Sequence, residues 1–125
     1  MSSTIDSVTF DCADPGRLAA FWSAALGYVR GEVDEEGAEI LDPSGSGSRL
    51  LFLVVPEEKA AKNRVHLDLR PAQSMTKEVG RLHDLGASVL RHVEVEGSSW
   101  TVMLDPEGNE FCVLRGPEDG WAADE

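Results

Sequence analysis

At 125 residues the chain suits one domain, 1–125, and a domain of that length buries roughly two thirds of its unfolded surface. Charged residues make up 27% and apolar residues 42% with no low-complexity tract, which excludes global disorder. The net charge of −12 excludes nucleic acid and anionic membranes as partners, since both need Lys and Arg to displace counterions; it either simply keeps the chain soluble or would also steer a cationic ligand inward.

The first residues, Met1-Ser2-Ser3-Thr4, have no basic start, and no segment approaches the ~20 apolar residues of a membrane span. A cytoplasmic location is therefore expected. From Ile5 to Cys12 the chain alternates Val8 and Phe10 with Ser7, Thr9 and Asp11, which predicts a half-buried strand. Asp14 caps a helix with Pro15 in its first turn, and Leu18, Phe21, Trp22, Ala25 and Leu26 recur at helical spacing until Gly27. Short strands follow at Tyr28–Val33 and Ala38–Leu41, and a stronger one at Arg49–Val55. Residues 57–63 turn to charge and alanine and read as a linker.

The order then repeats. Arg64–Leu69 predicts a strand, Ser74–Leu85 a helix with Met75, Val79, Leu82 and Leu85 on one face, and Ser88–Val95, Trp100–Leu104 and Glu110–Arg115 three more strands. Gly97-Ser98 and Pro106-Glu107-Gly108 supply the turns, and the tail from Gly116 lacks periodicity. Asp42-Pro43-Ser44-Gly45 and Asp105-Pro106-Glu107-Gly108 stand before the last strand of each half, and Leu26-Gly27 and Leu85-Gly86 close the helices. The chain is thus a tandem of two β-α-β-β-β modules, about 5–56 and 64–115. Cys12 and Cys112 lie far apart in apolar patterns and read as two reduced thiols. No phosphate loop, Cys-x-x-Cys pair, Gly-x-Ser-x-Gly elbow or His-Glu-x-x-His helix occurs, so phosphoryl transfer, hydride transfer and serine hydrolysis lack support.

The words Asp14-Pro15, Ala20-Phe21-Trp22, Leu26-Gly27-Tyr28, Val65-His66-Leu67-Asp68 and Asp105-Pro106-Glu107-Gly108-Asn109-Glu110-Phe111-Cys112 resemble the vicinal oxygen chelate superfamily of glyoxalases, extradiol dioxygenases and bleomycin resistance proteins. They most resemble its glyoxalase-like subgroup. The resemblance implies an α+β fold whose two modules form a cup-shaped mixed sheet with the helices on the convex face, and a homodimer. It also implies a divalent metal held at positions that here read Ser7, Leu51, His66 and Cys112. Only His66 is the usual ligand type, so a complete metal site is not expected and no cofactor is assigned. Should a metal bind, His66, Glu110 and Cys112 are its candidate ligands, with Asp68 beside them.

His66 lies opposite Val65 and Leu67 in the strand pattern and shares its face with Asp68. The pair could transfer a proton, and the same pair could be a purely structural hydrogen bond. Trp100 is either core or an aromatic pocket wall. The candidate ligand-binding residues are accordingly Ser7, Thr9, Leu51, His66, Trp100, Glu110 and Cys112, and the candidate catalytic residues His66 and Asp68. Two functions fit: a protein that binds a small organic molecule without metal, or a lyase or isomerase that works through His66 and Asp68.

Overall fold

The computed structural model describes residues 2–123. Two compact units divide the chain, residues 1–59 and 60–125.

In the first unit, β1 (Ser7–Cys12), α1 (Pro15–Leu26), β2 (Val29–Val33), β3 (Gly37–Leu41) and β4 (Arg49–Val54) follow in that order. The sheet runs β1-β4-β3-β2, with β1 parallel to β4 and the other pairs antiparallel. The Asp14 carboxylate accepts the Arg17 N–H at 3.1 Å and starts α1, and Gly27 ends it in the left-handed region. Leu18, Ala19, Phe21, Trp22 and Ala25 bury the helix face over the sheet, where the Phe10 ring lies tilted against Trp22 at 5.7 Å and against Phe52 at 5.2 Å. Burying such a cluster contributes about 2 kcal/mol per large side chain.

The second unit repeats the topology with β5 (Leu67–Leu69), α2 (Met75–Asp84), β6 (Ser88–Val95), β7 (Ser98–Leu104) and β8 (Glu110–Leu114), the sheet running β5-β8-β7-β6. The fold is therefore α+β with two β-α-β-β-β modules, built on two four-stranded mixed sheets that stay open. Under α2, Met75 and Leu82 pack with the buried Met103, Phe111 and Val113.

Both Asp-Pro turns are held by the aspartate. Asp42 accepts the Ser44 N–H at 2.9 Å and the Gly47 N–H at 2.9 Å; Asp105 accepts the Glu107 N–H at 2.9 Å and the Asn109 N–H at 3.0 Å. Gly45 and Gly108 sit at φ 75° and 84°, a conformation a side chain would strain, which is why the repeat carries glycine there.

Three details depart from the sequence pattern. The strand expected at Arg64–Leu69 narrows to Leu67–Leu69, and Val65 points into solvent at 79% exposure instead of joining the apolar stripe. The β6–β7 turn is Glu96-Gly97 rather than Gly97-Ser98, because Val95 pairs with Ser98. The tail, aperiodic in sequence, docks on its own unit: Pro117–Asp119 forms a 3₁₀ turn, and Asp119 accepts the Met75 N–H at 2.7 Å at the start of α2. Arg70 covers the Trp121 ring at 4.0 Å and donates to the Arg115 carbonyl.

Candidate functional site

Register decides which side chains meet on the open face of the second sheet. Asp68 pairs with Cys112, Cys112 with Val102, and Val102 with Arg91, so these four form one row across β5, β8, β7 and β6. Side chains in such a row share a face, and neighbours two residues away along a strand join them. His66 and Glu110 therefore stand on one side of the row and Trp100 and Leu114 on the other. The alternate residues Phe111, Val113, Thr101 and Met103 are buried on the opposite face.

Those side chains, together with Lys62 from the segment before β5, line a pocket of about 380 Å³. Val102 and Cys112 form its buried floor, and Trp100 stands half-buried beside them. His66 Nδ1 lies 2.8 Å from Asp68 Oδ1, both side chains half-exposed, and 4.0 Å from Cys112 Sγ. Lys62 Nζ pairs with Glu110 Oε2 at 2.9 Å. Burial, and then the Asp68 carboxylate, push the Cys112 thiol from 9.0 up to about 11, so it stays protonated at neutral pH and is no nucleophile there.

Among the described residues, His66, Asp68 and Cys112 are the three metal-ligand types whose donor atoms come within 4.8 Å of one another. Glu110 stands outside that group, engaged with Lys62. As arranged, His66 and Asp68 are engaged with each other rather than spread around a divalent ion. Donors on one tetrahedral ion with bonds of about 2.0–2.3 Å stand roughly 3.3–3.8 Å apart, whereas His66 and Asp68 are at hydrogen-bond distance.

Of the residues singled out from sequence, His66, Asp68, Trp100, Glu110 and Cys112 come together in this pocket. Ser7, Thr9 and Leu51 belong to the first unit, where Thr9 pairs with Leu51, and Ser7 with Arg49, whose guanidinium is tied to Asp6 and Glu39. Lys62, Arg91, Val102 and Leu114 were not singled out. Counting back from the Glu96-Gly97 turn pairs Arg91 with Val102 and would have found Arg91. No periodic signal marks Lys62.

Two open mixed sheets of like topology, one carrying a half-polar pocket on the face away from its helix, define an α+β protein of two tandem β-α-β-β-β modules. The glyoxalase-like domain family model matches residues 7–114, and the chain belongs to that family. No curated protein matches the sequence. Solved structures with the same fold include a glyoxalase-related enzyme from Fulvimarina pelagi, 16% identical, covering 93% of this chain and 90% of its own, at a TM-score of 0.70. Another is the genomically encoded fosfomycin resistance protein of Listeria monocytogenes, a mutant complexed with Mn(II) and 1S,2S-dihydroxypropylphosphonic acid: 16% identity, coverage of 93% and 92%, TM-score 0.73. A glyoxalase/bleomycin resistance protein/dioxygenase family enzyme from Burkholderia phytofirmans PsJN is 19% identical, with coverage of 86% and 94% and a TM-score of 0.63. At these identities the likeness is one of fold.

Proposed function

We propose that the second unit's pocket binds a small organic molecule and holds it without a metal. The observation that carries this reading is the convergence of Lys62, His66, Asp68, Arg91 and Glu110 around an apolar floor in a pocket of about 380 Å³. Ligand sites combine an apolar lining with a few aimed polar groups in this way. A phosphonate seated beside Mn(II) in the Listeria protein supports the binding part of this reading, since that fold accepts molecules of this size.

Thermal shift tests it. A panel of small organic acids, amines and neutral aromatics is expected to contain stabilising ligands, with the stabilisation lost in Trp100→Ala. No stabilisation across the panel would overturn binding. Stoichiometric metal that survives dialysis and disappears in His66→Ala would overturn the metal-free part.

The contact between His66 and Asp68 favours a second reading, proton transfer in a lyase or isomerase. With Nδ1–H donated to Asp68, Nε2 is the basic nitrogen, and Asp68 stabilises the imidazolium that forms when Nε2 accepts a proton from a substrate carbon. The same proton then returns to another carbon or to a leaving group. Turnover of a bound ligand that persists unchanged in His66→Ala would sink this reading.

A further inference from the structure

We infer that the pocket selects an organic anion and takes its carboxylate or other oxyanion on Arg91, an inference that rests on the binding reading above. Four charged side chains line the pocket, Lys62, Asp68, Arg91 and Glu110. Lys62 and Glu110 neutralise each other at 2.9 Å. Asp68 is engaged by His66 at 2.8 Å. Arg91 makes no ion pair and no side-chain hydrogen bond with any described residue.

A guanidinium that faces a ligand pocket with no partner among the described residues, in a chain of net charge −12, is a cation open to a ligand. Its planar fork matches a carboxylate or phosphonate in two parallel hydrogen bonds. The register gives the ligand a direction as well. Arg91 and Asp68 are three strand spacings apart, about 14 Å between backbones, with Val102 and Cys112 between them. An anion is drawn to the Arg91 end and repelled from the Asp68 end. The body of the molecule then lies on Val102 and Cys112 with Trp100 and Leu114 at its flank, and its far end reaches His66. The acidity of the whole chain favours cations at long range, but the group that meets the ligand at contact distance is Arg91.

The test compares three probes of one shape, phenylacetate, phenylacetamide and phenethylamine, titrated while the Trp100 indole N–H is followed by NMR. Phenylacetate is expected to bind at least tenfold more tightly than the amide, and Arg91→Gln to bring the two within about twofold. Equal binding of acid and amide with the Trp100 signal moving would overturn the anion inference and leave the pocket standing. So would a preference for phenethylamine, or an acid preference that survives Arg91→Gln. If none of the three moves the Trp100 signal, the binding reading falls and this inference with it.

Discussion

Asp68 and Arg91 stand at opposite ends of a single cross-strand row, with the Cys112 thiol next to Asp68 and Val102 next to Arg91. The thiol therefore feels a carboxylate on one side, which raises its pKa, and a guanidinium on the other, which lowers it. Asp68→Asn is expected to bring the thiol below about 11, and Arg91→Gln to lift it further. The measurement is the pH dependence of iodoacetamide alkylation at Cys112, read by mass spectrometry in a Cys12→Ser background. Shifts in the same direction for both variants would contradict the row.

The same thiol couples stability to alkaline pH. Its folded pKa of about 11 exceeds the ordinary 9.0, so above pH 9 the unfolded chain loses a proton that the folded chain keeps. The stabilisation is complete below pH 9 and declines as pH rises through about 11. Melting temperatures between pH 8 and 11 are expected to fall more steeply for the native chain than for Cys112→Ser. Parallel curves would show that folding does not shift the Cys112 pKa.

The tail holds α2 at its start. Asp119 accepts from the backbone N–H groups of Met75 and Gly116, and those two bonds lower its pKa. A carboxylate depressed on folding stabilises above its ordinary pKa of 3.8 and loses that contribution as pH falls through the folded value. Asp119→Asn is expected to lower the melting temperature by a few degrees at pH 7 and to narrow the gap from native at pH 3. Gly116→Ala should unseat the same turn, because an added Cβ would meet the Gln73 carbonyl. Unchanged melting in both variants would show the tail to be unimportant for the unit.

Much of this was legible because it is local. The aspartate of each Asp-Pro-x-Gly turn bonds within five residues of itself, so Asp42 and Asp105 announce their turns in the sequence. The period of a strand places His66 beside Asp68 and Glu110 beside Cys112. What stayed hidden depends on distant partners or on a slip in register. Lys62 reads as linker until Glu110, 48 residues on, arrives beside it. Asp119 caps a helix that begins 44 residues earlier. Arg91 lies next to a bulge in β6, between Val89 and Arg91, so alternation counted from the start of the strand puts it on the wrong face. Net charge is silent on the pocket for a related reason: −12 describes the whole chain, whereas the pocket sees the few groups that the register turns toward it.

The segment that delivers His66 is pinned by side chains rather than by strand pairing, since β5 begins only at Leu67. Asn63 Oδ1 accepts the Glu110 N–H at 3.0 Å, and Asn63 Nδ2 reaches Asn109 Oδ1 at 3.4 Å. Three residues later the chain places His66 against Asp68. Asn63→Ala removes both bonds and leaves the Glu110 amide without that acceptor at the start of β8, a cost of about 1 kcal/mol. Hydrogen exchange at the Glu110 amide is expected to accelerate about fivefold, the same free energy read locally. Because Asn63 sits outside the pocket floor, ligand affinity should drop only through the freedom His66 gains, and Lys62→Ala added to Asn63→Ala should weaken binding by less than the sum of the two. Full protection of the Glu110 amide in Asn63→Ala would mean that β8 holds its first residue unaided and that His66 is positioned by Asp68 alone.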